Sequence, residues 1–211
     1  MADLPAQFHV LLIGTLRPKV ASTCSLVLDG ETCVVIDPGL SPGQSALTGP
    51  LRELGLVPDS ITDVVISHHH PDHALNVGLF PAARVHDHWA IYDFSGSWDS
   101  VDAEGRQISP NVQLMRTPGH TTDDISTVVR TAEGIVVFTH EWWTAEGPAE
   151  DPYAPDQAAL SASRARILAL ADLIVPGHGA PFRPTDATPR YADSTASAHA
   201  SWTRATGTTS P

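Results

Sequence analysis

The segment Ser67-His68-His69-His70-Pro71-Asp72-His73 follows the apolar run Val64-Val65-Ile66 and carries the pattern H-x-H-x-D-H. The run reads as a short buried strand over Asp63–Ser67. Side chains on an extended chain alternate in direction, so His68 and His70 project to one side and His69 to the other. Two imidazoles on one side can grip a single metal ion, and Asp72 and His73 lie a turn further on, where a second ion can sit. Pro71 fixes the direction of the loop between them. Such a chain has to fold so that other ligands reach the end of this strand.

Three further segments place a polar ligand type at the end of an apolar strand. They are Thr117-Pro118-Gly119-His120, Val137-Phe138-Thr139-His140 and Val175-Pro176-Gly177-His178-Gly179. Glycine before His120 and on both sides of His178 lets the backbone come close to a site. Each histidine alone reads as a hydrogen-bonded, half-buried residue, whereas the same placement at four strand ends points to one shared metal site. His86 and His88, on either side of Asp87, share a face if their segment is extended, and can line the site entrance or stand solvated at a strand end. His9 and His199 have no supporting context.

Strands are predicted near residues 8–14, 24–28 and 32–36, the last two joined by the Asp29-Gly30 hairpin signal. A helix fits residues 44–54, where Leu47, Leu51 and Leu54 recur at helical spacing, and it leads to the strand before the histidine motif as a parallel βαβ unit. Further strands are expected at 112–116, 125–130 and 134–139, then a helix over 156–171 and a strand at 173–176. Two halves of similar grammar favour one layered α/β domain over residues 1–184, helices outside and sheets inside. Residues 185–211, rich in Ser, Thr and Ala, read as a tail, partly helical around 191–204, with Trp202 as an anchor on the body or on a second subunit.

Charge narrows the partners. The 211 residues carry 12 Lys and Arg against 24 Asp and Glu, a formal net charge of −12, with Lys19 the sole lysine. Such a chain repels phosphate backbones and anionic membrane surfaces, so neither nucleic acid nor membrane is expected as a partner. No stretch approaches the roughly 18 apolar residues of a membrane span, and the first basic residue, Arg17, comes too late for an export leader. A cytoplasmic protein is expected. Cys24 and Cys33 read as buried free thiols.

The ordered set H-x-H-x-D-H, T-P-G-H-T and V-P-G-H-G, preceded by Val34-Val35-Ile36-Asp37-Pro38-Gly39, resembles the metallo-β-lactamase fold superfamily over about residues 8–183. The text after the first motif and before the last is similar to small single-domain metallo-β-lactamase domain-containing proteins. The resemblance implies a four-layered αββα sandwich with its site along one sheet edge. It assigns His68, His70 and His120 to a first metal, and Asp72, His73 and His178 to a second. Asp37 becomes either a residue that orients a ligand or a turn-capping carboxylate. The family usually has Gly-Asp after the strand ending at Phe138, with the aspartate bridging two ions, and here the chain reads Thr139-His140-Glu141. A neutral imidazole has one lone pair and cannot bridge as a carboxylate does. Three outcomes stay open: His140 is a ligand of one ion, Glu141 moves into the bridging place, or the site works with one ion.

The expected ion is Zn²⁺, one or two per chain, with iron or manganese as alternatives. Zinc lowers the pKa of a coordinated water to about 7 and polarises carbonyls. The implied function is therefore a hydrolase in which metal-bound hydroxide attacks an ester, lactone, thioester or amide, with Asp72 orienting the water or carrying its proton. Trp89, Trp142 and Trp143, with other loop aromatics, suggest a pocket for a small, partly apolar substrate. Two alternatives keep the fold: an iron oxidoreductase with a mononuclear site, and a non-catalytic ligand-binding relative. A homo-oligomer is compatible with all three.

Overall fold

The computed structural model describes residues 4–190, so the expectations for residues 191–211, including His199 and Trp202, lie outside the described residues. Twelve strands are formed within that range, in two sheets. The first sheet has seven strands in the order β1 (Gln7–Leu12), β2 (Cys24–Asp29), β3 (Thr32–Ile36), β4 (Asp63–Val65), β5 (Arg84–His86), β6 (Ala90–Tyr92) and β7 (Trp98–Ser100). The second has five, β12 (Leu173–Pro176), β11 (Gly134–Thr139), β10 (Ile125–Thr131), β9 (Val112–Arg116) and β8 (Gln107–Ser109), in that spatial order. Helices α1 (Ser45–Glu53), α2 (Pro71–Ala74) and α3 (Gln157–Leu168) complete the fold.

Alternation within the strands builds the layers. In β3, Val34 and Ile36 point between the sheets, where they meet Leu114, Val136 and Phe138 of the second sheet. Val35 points the other way and packs with Leu47 and Leu51 of α1. In β11 the same rule sends Val136 and Phe138 inward and Val137 outward, against Ile167 of α3. Central strands buried on both faces read as near-continuous apolar runs, and so they do here. The outcome is an αββα sandwich. Asp156 caps α3 by accepting from the backbone N–H groups of Ala158 (2.8 Å) and Ala159 (3.1 Å).

Strand direction decides where the site lies. β3, β4 and β5 pair in parallel, and so do β11 and β12. β9 and β11 each run antiparallel to β10, so β9 shares the direction of β11. The carboxyl ends of these strands meet at one edge of the sandwich, the customary place for a ligand in such sheets. A hydrogen bond from Ile125 N to Ser67 O (2.9 Å) ties the sheets together there. Among the described residues, no helix is long and apolar enough to cross a membrane.

Candidate metal centre

The chain leaves β4 at Val65, runs through His68 and His70, and turns into α2 with Pro71 at its first position. Proline suits that place because its missing N–H has no partner in a first helical turn. His68 Nε2 then lies 2.9 Å from His70 Nδ1, and His120 Nε2, from the loop after β9, lies 3.0 Å from the same atom. Three imidazole nitrogens thus converge on one point. Beside them, Asp72 Oδ2 lies 3.5 Å from His73 Nε2 and 3.6 Å from His178 Nε2, and His140 Nε2 lies 3.2 Å from His178 Nε2.

Outer partners set the tautomers. His73 Nδ1 donates to Asp37 Oδ2 (2.8 Å), His120 Nδ1 to Asp151 Oδ2 (2.8 Å), and His178 Nδ1 to the Ala21 carbonyl (2.8 Å). His68 Nδ1 lies 3.1 Å from Ser67 Oγ and 3.7 Å from Asp124. In each ring the Nε2 lone pair is left facing the centre, the arrangement that metal-ligating histidines require. Burial, reinforced by the neighbouring imidazoles, pushes His68 and His140 well below the ordinary histidine value, and burial lowers His70 and His178. These rings are therefore neutral near pH 7. His73 feels the same penalty of burial, but the charge and hydrogen bond of Asp37 outweigh it and raise its pKa.

The residues fit a divalent metal. His73 Nε2 is buried and has no hydrogen-bond partner, although it faces the cluster. A buried nitrogen left unpaired at such a site costs about 1–3 kcal/mol, a penalty that a bound cation removes. His140 stands between two groups of three, reaching both the His68–His120 pair and the His73–His178 pair.

Glu141 does not take the bridging place. Its carboxylate is buried behind Gly119, where an added Cβ would lie 1.8 Å from Oε2, and neither oxygen has a hydrogen-bond partner. Burial, with the nearby charge of Asp124, raises its pKa well above the usual carboxylate range and keeps it protonated. The buried Arg164 of α3 holds this segment by donating to the carbonyls of Glu141 (2.9 Å), Ala149 (2.6 Å) and Pro148 (2.7 Å).

The centre opens into a cavity of about 580 Å³, lined by His70, Asp72, His120, His140 and His178 on the metal side. Leu16, Arg17, Val20, Trp143 and Tyr153 form its other wall. Trp143 stacks on Tyr153 with ring centroids 5.8 Å apart, and its Nε1 donates to the Asp151 carboxylate that also holds His120.

Two of the three tryptophans expected at the pocket are elsewhere. Trp142 is fully buried with Ile167 and Ile174, and its Nε1 donates to the Pro189 carbonyl at 2.8 Å. Trp89 is half exposed and packs against Trp98 beyond the cavity, with centroids 4.8 Å apart. His69 turns away and lies 3.2 Å from Asp87. His86 is neither at the entrance nor solvated, being buried on Asp63 (2.8 Å), and His88 faces Asp123 at 3.6 Å. Sequence reasoning missed Asp151, Asp124 and the Leu16–Val20 loop, none of which has a spacing signal.

The fold and the site define a four-layer α/β sandwich with a histidine-rich metal-binding centre at one sheet edge. The chain belongs to the metallo-beta-lactamase superfamily, whose family model matches residues 17–206. It is 32% identical to metallo-beta-lactamase domain-containing protein 1 of Xenopus laevis over 195 residues, 85% of this chain and 82% of that protein. The Homo sapiens protein of the same name is 36% identical over 161 residues, 71% of this chain and 59% of its own length, so the chain spans about three fifths of it. Among solved structures, a metallo-beta-lactamase family protein from Thermus thermophilus shares the fold with a TM-score of 0.65 at 19% identity, covering 87% of this chain and 76% of that one. B. thuringiensis AiiA, with N-decanoyl-L-homoserine bound at its active site, superposes with a TM-score of 0.63 at 19% identity, covering 84% of this chain and 94% of its own.

Proposed function

We propose that this chain is a metal-dependent hydrolase, with zinc as its ion, that cleaves an ester, lactone, thioester or amide bond in a small, partly apolar substrate. The observation that carries the reading is the convergence of His68, His70 and His120 at 2.9 and 3.0 Å beside an open cavity. Three protein ligands with an open fourth position are the mark of catalytic rather than structural zinc sites. A divalent ion held there acts as a Lewis acid that polarises a carbonyl and makes water acidic enough to lose a proton near neutral pH.

The chain's own residues supply the remainder. Asp72 lines the cavity and keeps one oxygen toward His73 and His178, leaving the other to orient an attacking water and accept its proton. Asp151 and Ser67 hold the His120 and His68 rings, so the ligand nitrogens need no rearrangement during reaction. Leu16, Val20, Trp143 and Tyr153 offer apolar surface to an acyl group. Among the described residues that line the cavity there is no serine or cysteine, which supports direct attack by water over a covalent intermediate. Solved neighbours named as N-acyl homoserine lactone hydrolase and lactonase make lactones the first class to assay. The free thiols of Cys24 and Cys33 suit a reducing compartment, in keeping with the cytoplasm.

The test is a panel of lactones, aryl esters, thioesters and amides assayed with zinc-loaded protein, Asp72→Asn and His120→Ala. At least one class should turn over, and both variants should lose about 100-fold or more in kcat/KM while keeping the wild-type circular dichroism. A zinc-loaded protein inactive on every class, or an unimpaired Asp72→Asn, overturns the proposal.

A further inference from the structure

His140 is the one residue shared by the two histidine groups. Its neutral ring has a single lone pair, so it can complete one group and not both.

Four observations bear on the choice. The His68–His120 pair gains a third ligand without it, because His70 Nδ1 lies 2.9 and 3.0 Å from their Nε2 atoms. On the other side, His178 Nε2 lies 3.2 Å from His140 Nε2 and 3.6 Å from Asp72 Oδ2, and the donor atoms of His73, His140 and His178 all lie within 4.8 Å of one another. The buried His73 Nε2, 3.5 Å from the same Asp72 oxygen, lacks any hydrogen-bond partner and so faces a place made for a cation. Finally, Gly177 makes the room for the ring on the His178 side, since a Cβ there would lie 2.2 Å from His140 Cδ2 and 2.9 Å from Nε2.

His140 also differs from the other buried ligand histidines in how it is held. Its Nδ1 is buried with no hydrogen-bond partner, whereas His68, His73, His120 and His178 each have an outer acceptor near Nδ1. Packing fixes it instead, among the rings of His68, His73, His120 and His178 with centroids 4.2–5.1 Å away.

We infer that His140 is the fourth protein ligand of the second group, so that Asp72, His73, His140 and His178 form a closed metal site beside an open one formed by His68, His70 and His120. This deepens the metal-hydrolase reading and rests on its premise that these histidines bind metal. Four protein ligands fill the tetrahedral shell of zinc, and three leave a position for a reactant. The second ion is then structural and electrostatic in role, and the first is the one that meets substrate. The imidazole, unlike a carboxylate, is not shared, so His140 does not bridge the two ions.

The experiment is titration of metal-free protein with Co²⁺, followed by visible absorption and by metal content after gel filtration. His68→Ala and His73→Ala give the fingerprints for loss of the first and the second ion. Wild type should bind two equivalents. His140→Ala and the more conservative His140→Gln should both weaken one equivalent by at least about tenfold, the lower end of what removing even an outer partner of a ligand costs. The bands they lose should be those lost in His73→Ala. Loss of the His68→Ala bands instead, two full equivalents in both His140 variants, or one equivalent in wild type overturns the assignment. No cobalt binding by wild type overturns the metal-centre reading itself, and hydrolytic inactivity with two bound ions overturns only the hydrolase reading.

Discussion

Asp37 accepts a 2.8 Å hydrogen bond from His73 Nδ1 while its own backbone sits at φ +50°. The same carboxylate accepts from the backbone N–H and the hydroxyl of Ser67, each at 2.7 Å. One side chain thus fixes both the end of β4 and the His73 ring of the histidine centre. Asp is among the few residues other than glycine that tolerate a left-handed backbone, which lets the carboxylate turn back onto the motif. Asp37→Asn keeps the shape and removes the charge. It should weaken metal binding by about 10–100-fold with little change in circular dichroism, read by zinc titration of metal-free protein. Wild-type affinity in this variant refutes the positioning role.

Gly39 carries the motif by absence. A Cβ at that position would lie 1.5 Å from the Asp72 carbonyl oxygen and 2.5 Å from His73 N, both backbone atoms that cannot swing aside. Gly39→Ala should therefore displace the turn that presents Asp72 and His73. Overpacking of this kind costs about 1–3 kcal/mol, and a lowered melting temperature should accompany weaker metal binding. A variant that melts and binds as wild type does contradicts the contact.

Much of this was legible from the residues. Strands with both faces buried, such as β2, β3 and β11, announce themselves by apolar runs of three or four residues within strands of five or six. Strand-end histidines announce the centre because metal ligation restricts the residue types. The strands β5, β6, β7 and β8 were not legible, being three residues each, too short for alternation to register, whereas the equally short β4 was marked by the apolar run that leads into the histidine motif. Asp151 was hidden for another reason. It reaches His120 across 31 residues from an irregular loop, and no local period encodes such a meeting. Grouping Trp142 with Trp143 as loop aromatics overlooked that neighbours on an extended chain face opposite ways.

That pair gives a contrast between stability and binding. Trp142 is fully buried among Ile167, Ile174 and Phe182, so Trp142→Ala should cost about 3–5 kcal/mol, measured by chemical denaturation. Trp143 lines the cavity, and Trp143→Ala should raise KM for an active substrate several-fold while losing far less stability. Reversed effects for the two variants would place the pocket wall on the wrong residue.

Asp63 sets a dependence on acid. It is fully buried, accepts from Thr62 Oγ1 (2.7 Å) and His86 Nε2 (2.8 Å), and pairs with Arg84 (2.8 Å). Burial alone would raise its pKa, but the hydrogen bonds from His86 and Thr62 and the charges of His86 and Arg84 outweigh it and hold the carboxylate below its ordinary value of 3.8. A pKa depressed by folding means that the unfolded chain takes up the proton first. The stabilisation is therefore whole above the ordinary carboxylate value and is lost as pH falls from there through the folded pKa. Denaturation curves of wild type and Asp63→Asn should diverge at pH 7, with the variant the weaker. They should converge on acidification below about pH 4, at no more than one proton's slope, about 1.4 kcal/mol per pH unit. Groups that do not interact with Asp63 titrate in both proteins and cancel in the difference. Curves that stay parallel from pH 7 to pH 2 would show that Asp63 contributes nothing through its charge.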